Sequence, residues 1–140
     1  MRKMSPFFLL LFLFSFCKNE QEILPPLRVR YQNQTDMQLT GVQAALLDGD
    51  GYTKVGTIGP GDSSEWVSAD SLVLYSTGPY HFLEGQTAIK PFTAAAFHDC
   101  LTGSKPDVRY SGNYTFIIRP WAFLWTEDTS KIHLELMLEQ

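Results

Sequence analysis

Cysteine is scarce in this chain, with only Cys17 and Cys100 among 140 residues. A disulfide framework of the kind that holds small secreted domains together is therefore excluded. Histidine is scarcer than a metal centre would want: His81, His98 and His133 are scattered, without the spacing of a structural zinc site. Basic residues are also in short supply, 11 Lys plus Arg against 15 Asp plus Glu, for a formal net charge of −4. Phosphate backbones need a basic footprint, so nucleic acid is not an expected partner. No apolar run reaches the ~20 residues that cross a bilayer as a helix. There is no internal repeat and no low-complexity segment, and the length suits one domain.

What is present at the start is an export signal. Arg2 and Lys3 precede an apolar run from Phe7 to Phe14, which ends at Ser15-Phe16-Cys17 and gives way to the polar Lys18-Asn19-Glu20-Gln21-Glu22. A basic start and a short apolar stretch are the layout of a secretory signal peptide. Phe14-Ser15-Phe16 does not supply the small residues of an ordinary cleavage site; what stands there is a cysteine. Leu13-Phe14-Ser15-Phe16-Cys17 resembles the lipobox of bacterial lipoprotein precursors, departing from it at Phe16, where a small residue is usual. The resemblance implies that residues 1–16 are removed, that Cys17 becomes the first mature residue and carries the lipid, and that the protein sits in the cell envelope, at the outer membrane. An ordinary signal with a chance cysteine and an uncleaved anchor are the alternatives. Cleavage before Cys17 leaves 124 residues, enough to bury a core. It also removes Arg2 and Lys3, so that nine basic residues face 15 acidic ones and Cys100 has no thiol to pair with.

Residues 17–26 read as the lipid-bearing cysteine and a tether, stiffened by Pro25-Pro26. Residues 27–140 read as the folded domain. Leu27, Val29 and Tyr31 alternate with Arg28, Arg30 and Gln32, the period of a half-buried strand. Asn33 to Asp36 is turn chemistry. Met37 to Leu47 forms a second strand whose apolar phase changes at Gly41, where a bulge absorbs the extra residue. Asp48-Gly49-Asp50-Gly51 marks a hairpin, and Tyr52 to Ile58 returns from it. Ser64 to Val67 and Leu72 to Tyr75 follow beyond Gly59-Pro60-Gly61-Asp62; the second, apolar on both faces, is expected in a central position. His81 to Phe92 is a mixed stretch interrupted at Glu84-Gly85, and Ala94-Ala95-Ala96-Phe97 is expected as one helical turn. Tyr114, Phe116 and Ile118 share one face, as do Ile132, Leu134, Leu136 and Leu138. Short strands at this spacing predict an all-β fold, specifically a two-sheet antiparallel sandwich, Ig-like in plan, after the N-terminal signal segment.

Val55 to Trp66 with its Gly59-Pro60-Gly61 core, then Gly112-Asn113-Tyr114-Thr115-Phe116, then the closing alternating strand, resemble small β-sandwich lipoproteins of Gram-negative bacteria. The likeness spans most of residues 27–140. Its motifs are turn and strand devices, and it implies a fold and no activity.

Candidate chemistry is thin. His98-Asp99-Cys100, with His81 and His133, is the most reactive cluster, yet a nucleophilic cysteine needs an adjacent base and zinc needs convergent ligands. An inert buried Cys100 beside surface histidines explains the same residues. Asp48-Gly49-Asp50-Gly51 lacks the later carboxylates of a calcium loop, and a hairpin turn accounts for it. Asp70-Ser71-Leu72 resembles a bacterial O-glycan acceptor, or is strand core. Trp121 and Trp125, in Pro120-Trp121-Ala122-Phe123-Leu124-Trp125, are the candidate ligand-binding residues. Two readings stand: an aromatic rim suited to sugars or to a protein pocket, or a strand that continues with one face in the core. The expected function is a non-enzymatic envelope lipoprotein that binds a protein or glycan, with no cofactor and no metal, held at the membrane by its lipid. An inhibitor-like module using the acidic Asp48 to Asp50 loop against a hydrolase is the second reading. A small hydrolase with Cys100 as nucleophile is the third.

Overall fold

The computed structural model describes residues 23–46, 51–75, 81–96, 107–121 and 128–139. The signal segment, Cys17, the Asp48 to Asp50 turn, His98 to Cys100 and Trp125 lie outside the described residues. The fold is all-β, ten strands with no helix among the described residues. They are β1 (Leu27–Asn33), β2 (Leu39–Leu46), β3 (Tyr52–Ile58), β4 (Val67–Ser68) and β5 (Leu72–Tyr75), then β6 (His81–Gln86), β7 (Pro91–Ala96), β8 (Asp107–Arg109), β9 (Gly112–Pro120) and β10 (Ile132–Leu138).

Alternation builds each principal strand. β1 buries Leu27, Val29, Tyr31 and Asn33 and turns Arg28, Arg30 and Gln32 the other way. β9 buries Phe116 and Ile118, and β10 buries Leu134 and Leu136 while leaving Met137 exposed. In β2 the register shifts between Leu39 and Val42, and Gly41 sits there at φ 57°. That left-handed residue is the bulge, and it returns Leu39 and Val42 to the same interior, both fully buried.

The two-sheet antiparallel sandwich is not what forms. Eight strands make one mixed sheet in the order β3-β2-β6-β7-β10-β9-β1-β4, with β1 parallel to β9 and β7 parallel to β10. The sheet curls into a nearly closed barrel. Three strands separate β1 from β6 in the sheet, yet the Tyr31 hydroxyl on β1 reaches the His81 ring on β6 at 2.7 Å across the interior. Closure is completed at one end by the chain that leaves β3. It turns at Gly59-Pro60-Gly61-Asp62, where the Asp62 amide donates to the Gly59 carbonyl at 3.1 Å. It then runs along β1: Asn33 donates to the Asp62 carbonyl at 2.9 Å, Gly61 to Asn33 at 2.8 Å and Ser64 to Tyr31 at 2.8 Å.

Asn33 locks this seam. Its side-chain amide donates toward the carbonyls of Met37 at 2.7 Å, Gly59 at 3.1 Å and Ile58 at 3.3 Å. Its Oδ1 accepts from the Thr35 amide at 3.0 Å and hydroxyl at 2.7 Å. A buried side chain that satisfies both donors and acceptor across three segments is a strand residue here, and the turn starts only after it.

Four other expectations are corrected. Ala94, Ala95 and Ala96 are strand, not helix, because β7 lies between β6 and β10 and small side chains fit where three strands crowd. The few tenths of a kcal/mol by which alanine favours a helix cannot compete with pairing on both edges. β5 is not central: it pairs with β8 alone, as a second two-stranded sheet that adds Leu72 and Leu74 to the common core. The strand at Ser64 to Val67 shrinks to Val67–Ser68, preceded by a single bridge at Ser63. The Glu84-Gly85 interruption is no break either. β6 runs through it, and Gly85 is required because a Cβ there would lie 2.8 Å from the Thr40 carbonyl and 2.6 Å from the Phe92 ring.

Candidate functional site

Register places the ends of seven strands at the two mouths of the barrel. One mouth collects the end of β1, the start of β2, the β6–β7 turn, the end of β9 and the start of β10. A groove of about 480 Å³ opens there, lined by Met37, Trp121 and Ile132 together with Asp36, Asp128, Lys90, Lys131 and His133.

Local chemistry fixes most of these groups. Thr87 caps the β6–β7 turn: its hydroxyl accepts from the amides of Ile89 at 3.2 Å and Lys90 at 3.1 Å and donates to the Lys90 carbonyl at 2.8 Å. Lys90 then reaches across the mouth, its ammonium donating to the Thr129 carbonyl at 2.8 Å. Asp128 folds an Asx turn, accepting from the Ser130 amide at 2.9 Å and from the Ser130 hydroxyl. Those bonds to Ser130 hold its carboxyl below the usual aspartate range, hydroxyl first and amide second. His133 Nε2 meets the Asp128 carbonyl at 3.1 Å. A carbonyl only accepts, so the neutral ring carries its proton on Nε2. The groove is polar at its edges, apolar at its floor, and balanced in charge: Lys90 and Lys131 against Asp36 and Asp128.

The candidate residues read from the sequence fall as follows. Trp121 is the residue after β9, half-buried in the groove wall, while Trp125 lies outside the described residues. Cys17 and Cys100 also lie outside them. His81 is not on the surface. It is fully buried at the opposite mouth, stacked on Tyr31 with centroids 5.6 Å apart and tilted against Phe116 at 4.8 Å. Tyr31 donates its hydroxyl proton to Nε2, so the ring proton of His81 is on Nδ1, which completes no hydrogen bond of normal geometry. Burial drives the imidazole down from 6.5 to about 4, opposed weakly by the backbone of Ala45, and pushes the Tyr31 hydroxyl far above its ordinary value. His81 and His133 are therefore not brought together, and no group of three His, Cys, Asp or Glu side chains converges among the described residues. Ser71 of the candidate O-glycan acceptor is buried beside the core residue Leu72, which favours the structural reading.

Sequence reasoning missed Asp36, Met37, Lys90, Lys131 and His133 as neighbours of Trp121. The Asp128-x-Ser130 spacing was a usable signal of a fixed loop next to that tryptophan. Nothing local to Lys90 announces that it crosses the mouth.

Fold and groove together define a small, mixed, nearly closed β-barrel with an aromatic-bearing groove at one end. No protein-family model matches the sequence, and no curated protein matches it. Among solved structures, the chain is similar to a protein from Eubacterium rectale determined by NMR, at 19% identity and a TM-score of 0.47, over 82% of this chain and 89% of that one.

Proposed function

We propose that this chain is a lipid-anchored cell-envelope protein, held through Cys17 at the outer membrane, whose barrel binds a glycan in the groove beside Trp121 and performs no reaction of its own. The observation that carries the reading is the composition of the groove. Its volume of about 480 Å³ falls in the range of small-ligand sites. The Trp121 indole stands in its wall, and polar groups fixed by Thr87, Ser130 and the Asp128 carbonyl surround it. Sugars present hydroxyls on their edges and carbon–hydrogen faces above and below, which is the pattern this lining complements.

β1 sets the start of the folded domain away from the groove. The strand starts at Leu27, where the tether joins, and ends at Asn33 beside the groove mouth. Its seven residues span roughly 20 Å, so the point where the chain enters the barrel and the groove lie at opposite ends.

Two results test the reading. Trp121→Ala is expected to lower affinity for a bound glycan by about tenfold or more. Glycan-array binding followed by calorimetry measures it, and an unaltered affinity in the folded variant would remove Trp121 from the site. Cys17→Ala is expected to abolish the lipid mass and release the protein from the membrane fraction. A variant that stays in membranes with unchanged mass contradicts the anchor.

A further inference from the structure

Large apolar side chains exposed one by one are ordinary on a protein surface, and their collection at one end is not. Of the seven exposed among the described residues, four stand where the chain enters the barrel: Ile23 at 94%, Leu24 at 59%, Tyr52 at 58% and Tyr110 at 68%. The groove end holds one, Ile89 in the β6–β7 turn. Topology brings the four together. Ile23 and Leu24 lead into Leu27, and Tyr110 stands two residues before Gly112, the partner of Leu27 in the parallel β1–β9 pair. β1 and β3 end together, since Asn33 at the end of β1 donates to the carbonyls of Ile58 and Gly59 where β3 finishes. The pairings through the sheet give the two strands one direction, and each runs seven residues. Tyr52, which opens β3, therefore lies at the same mouth as Leu27. From this clustering we infer that the entry end of the barrel is a membrane-contact surface. It rests on a zwitterionic bilayer, with Ile23 and Leu24 in the acyl boundary and the Tyr52 and Tyr110 rings at headgroup level.

Chemistry, reach and charge point to a bilayer as the occupant. A tyrosine joins an apolar ring to a polar tip, the combination that settles at a membrane–water interface, and branched aliphatic chains beside it bury in the acyl boundary. Six residues separate Cys17 from Ile23, at most roughly 20 Å of fully extended chain. A lipid on Cys17 therefore keeps this end of the barrel, and not the groove end, close to the bilayer. The inference rests on the anchor reading for the presence of that bilayer, and it adds which end touches it and through which residues. Around the four side chains the charges are mixed. Exposed Arg28 and Lys54 stand at the same end as exposed Asp70, whose neighbour Ala69 donates to the Leu27 carbonyl at 3.2 Å. In a chain that is acidic overall, this setting gives anionic headgroups no advantage, so apolar area supplies the attraction.

The experiment uses the full mature chain with its lipid and, as Cys17→Ala, without it. The lipid-free chain is expected to cosediment with phosphatidylcholine vesicles only at high lipid concentration, equally at low and high salt, and no better when anionic lipid is added. Ile23→Ser/Leu24→Ser and Tyr52→Ser/Tyr110→Ser are each expected to lower its partition constant about tenfold, with Ile89→Ser without effect. All five side chains are exposed, so unchanged melting temperatures show that the variants fold. The lipid-bearing protein is placed in nanodiscs that carry a paramagnetic headgroup lipid. Amide signals of Tyr52, Tyr110 and Gly112 are expected to broaden, and those of Asp36 and Lys90 to stay sharp. The inference is overturned if the lipid-free chain binds no vesicles, if Ile89→Ser costs as much as the entry-end variants, or if the broadening falls on Asp36 and Lys90 instead. The anchor is judged separately, by the lipid mass on the natural protein. A natural protein without lipid, whose chain still binds vesicles through these four residues, removes the anchor and upholds the surface.

Discussion

Acidification from pH 7 to pH 4 is expected to cost the folded state about 3 kcal/mol through His81 alone. The imidazole is buried against Tyr31 and Phe116, and burial lowers it from 6.5 to about 4. The unfolded chain therefore takes up a proton near pH 6.5 that the folded chain refuses until about pH 4. Stability from this group is complete above 6.5, declines as pH falls through that value, and stops declining below about 4. The gap between the two values corresponds to about 3 kcal/mol. Replacing His81 alone would leave the Tyr31 hydroxyl buried without its acceptor. The informative variant is Tyr31→Phe/His81→Phe, which removes both polar groups and keeps the aromatic packing. Urea melts between pH 7 and pH 4 should show the decline in the natural protein and its loss in the double variant. Parallel curves for the two would mean that His81 is charged or solvated in the folded state.

Asn33→Asp is expected to destabilise the barrel by about 3–5 kcal/mol at neutral pH, although it exchanges one atom for another of nearly the same size. The Nδ2 group points at three carbonyl oxygens, those of Met37, Ile58 and Gly59, in a fully buried setting. A carboxylate oxygen in that position repels all three and leaves them without a donor. The carboxyl must then bind a proton to stay inside, so part of the deficit is regained as pH falls. Gln32→Glu makes the same amide-to-acid exchange one residue earlier, on the outward side of β1, and should cost under about 1 kcal/mol. Denaturant melts of the two variants at pH 7 measure the contrast. Equal losses would show that Asn33 is not the lock of the seam.

These two residues also show where the sequence stopped being legible. The strands themselves were written in the alternation of Leu27-Val29-Tyr31 and Leu134-Leu136, and the phase change at Gly41 announced its bulge. An alternation of period two states which face is buried; it is silent on which strand pairs with which and in what direction. Parallel pairing of β1 with β9 joins residues more than eighty positions apart, and no local signal encodes it. Asn33 read as a turn residue because asparagine is common in turns, and its role depends on carbonyls at the end of β3 that only the curled sheet supplies. His81 read as a surface histidine on the same local grounds. Ala94 to Ala96 read as helix because propensity was the only local signal, whereas packing between β6 and β10 decides it. The groove was half legible: Trp121 stood out by composition, but the cations that flank it come from the β6–β7 and β9–β10 turns.

The measurement that bears most directly on the proposed glycan site is a two-dimensional amide spectrum of the nitrogen-15-labelled protein, titrated with a soluble tetrasaccharide. Saturable shifts are expected at Asp36, Met37, Lys90, Lys131 and His133 and at the Trp121 indole, with Leu27 and Gly112 at the opposite mouth unmoved. Shifts confined to the outer face around Arg30 and Trp66, where the guanidinium lies 4.7 Å over the indole, would place the ligand elsewhere, and a spectrum that does not move at all would contradict the glycan site outright.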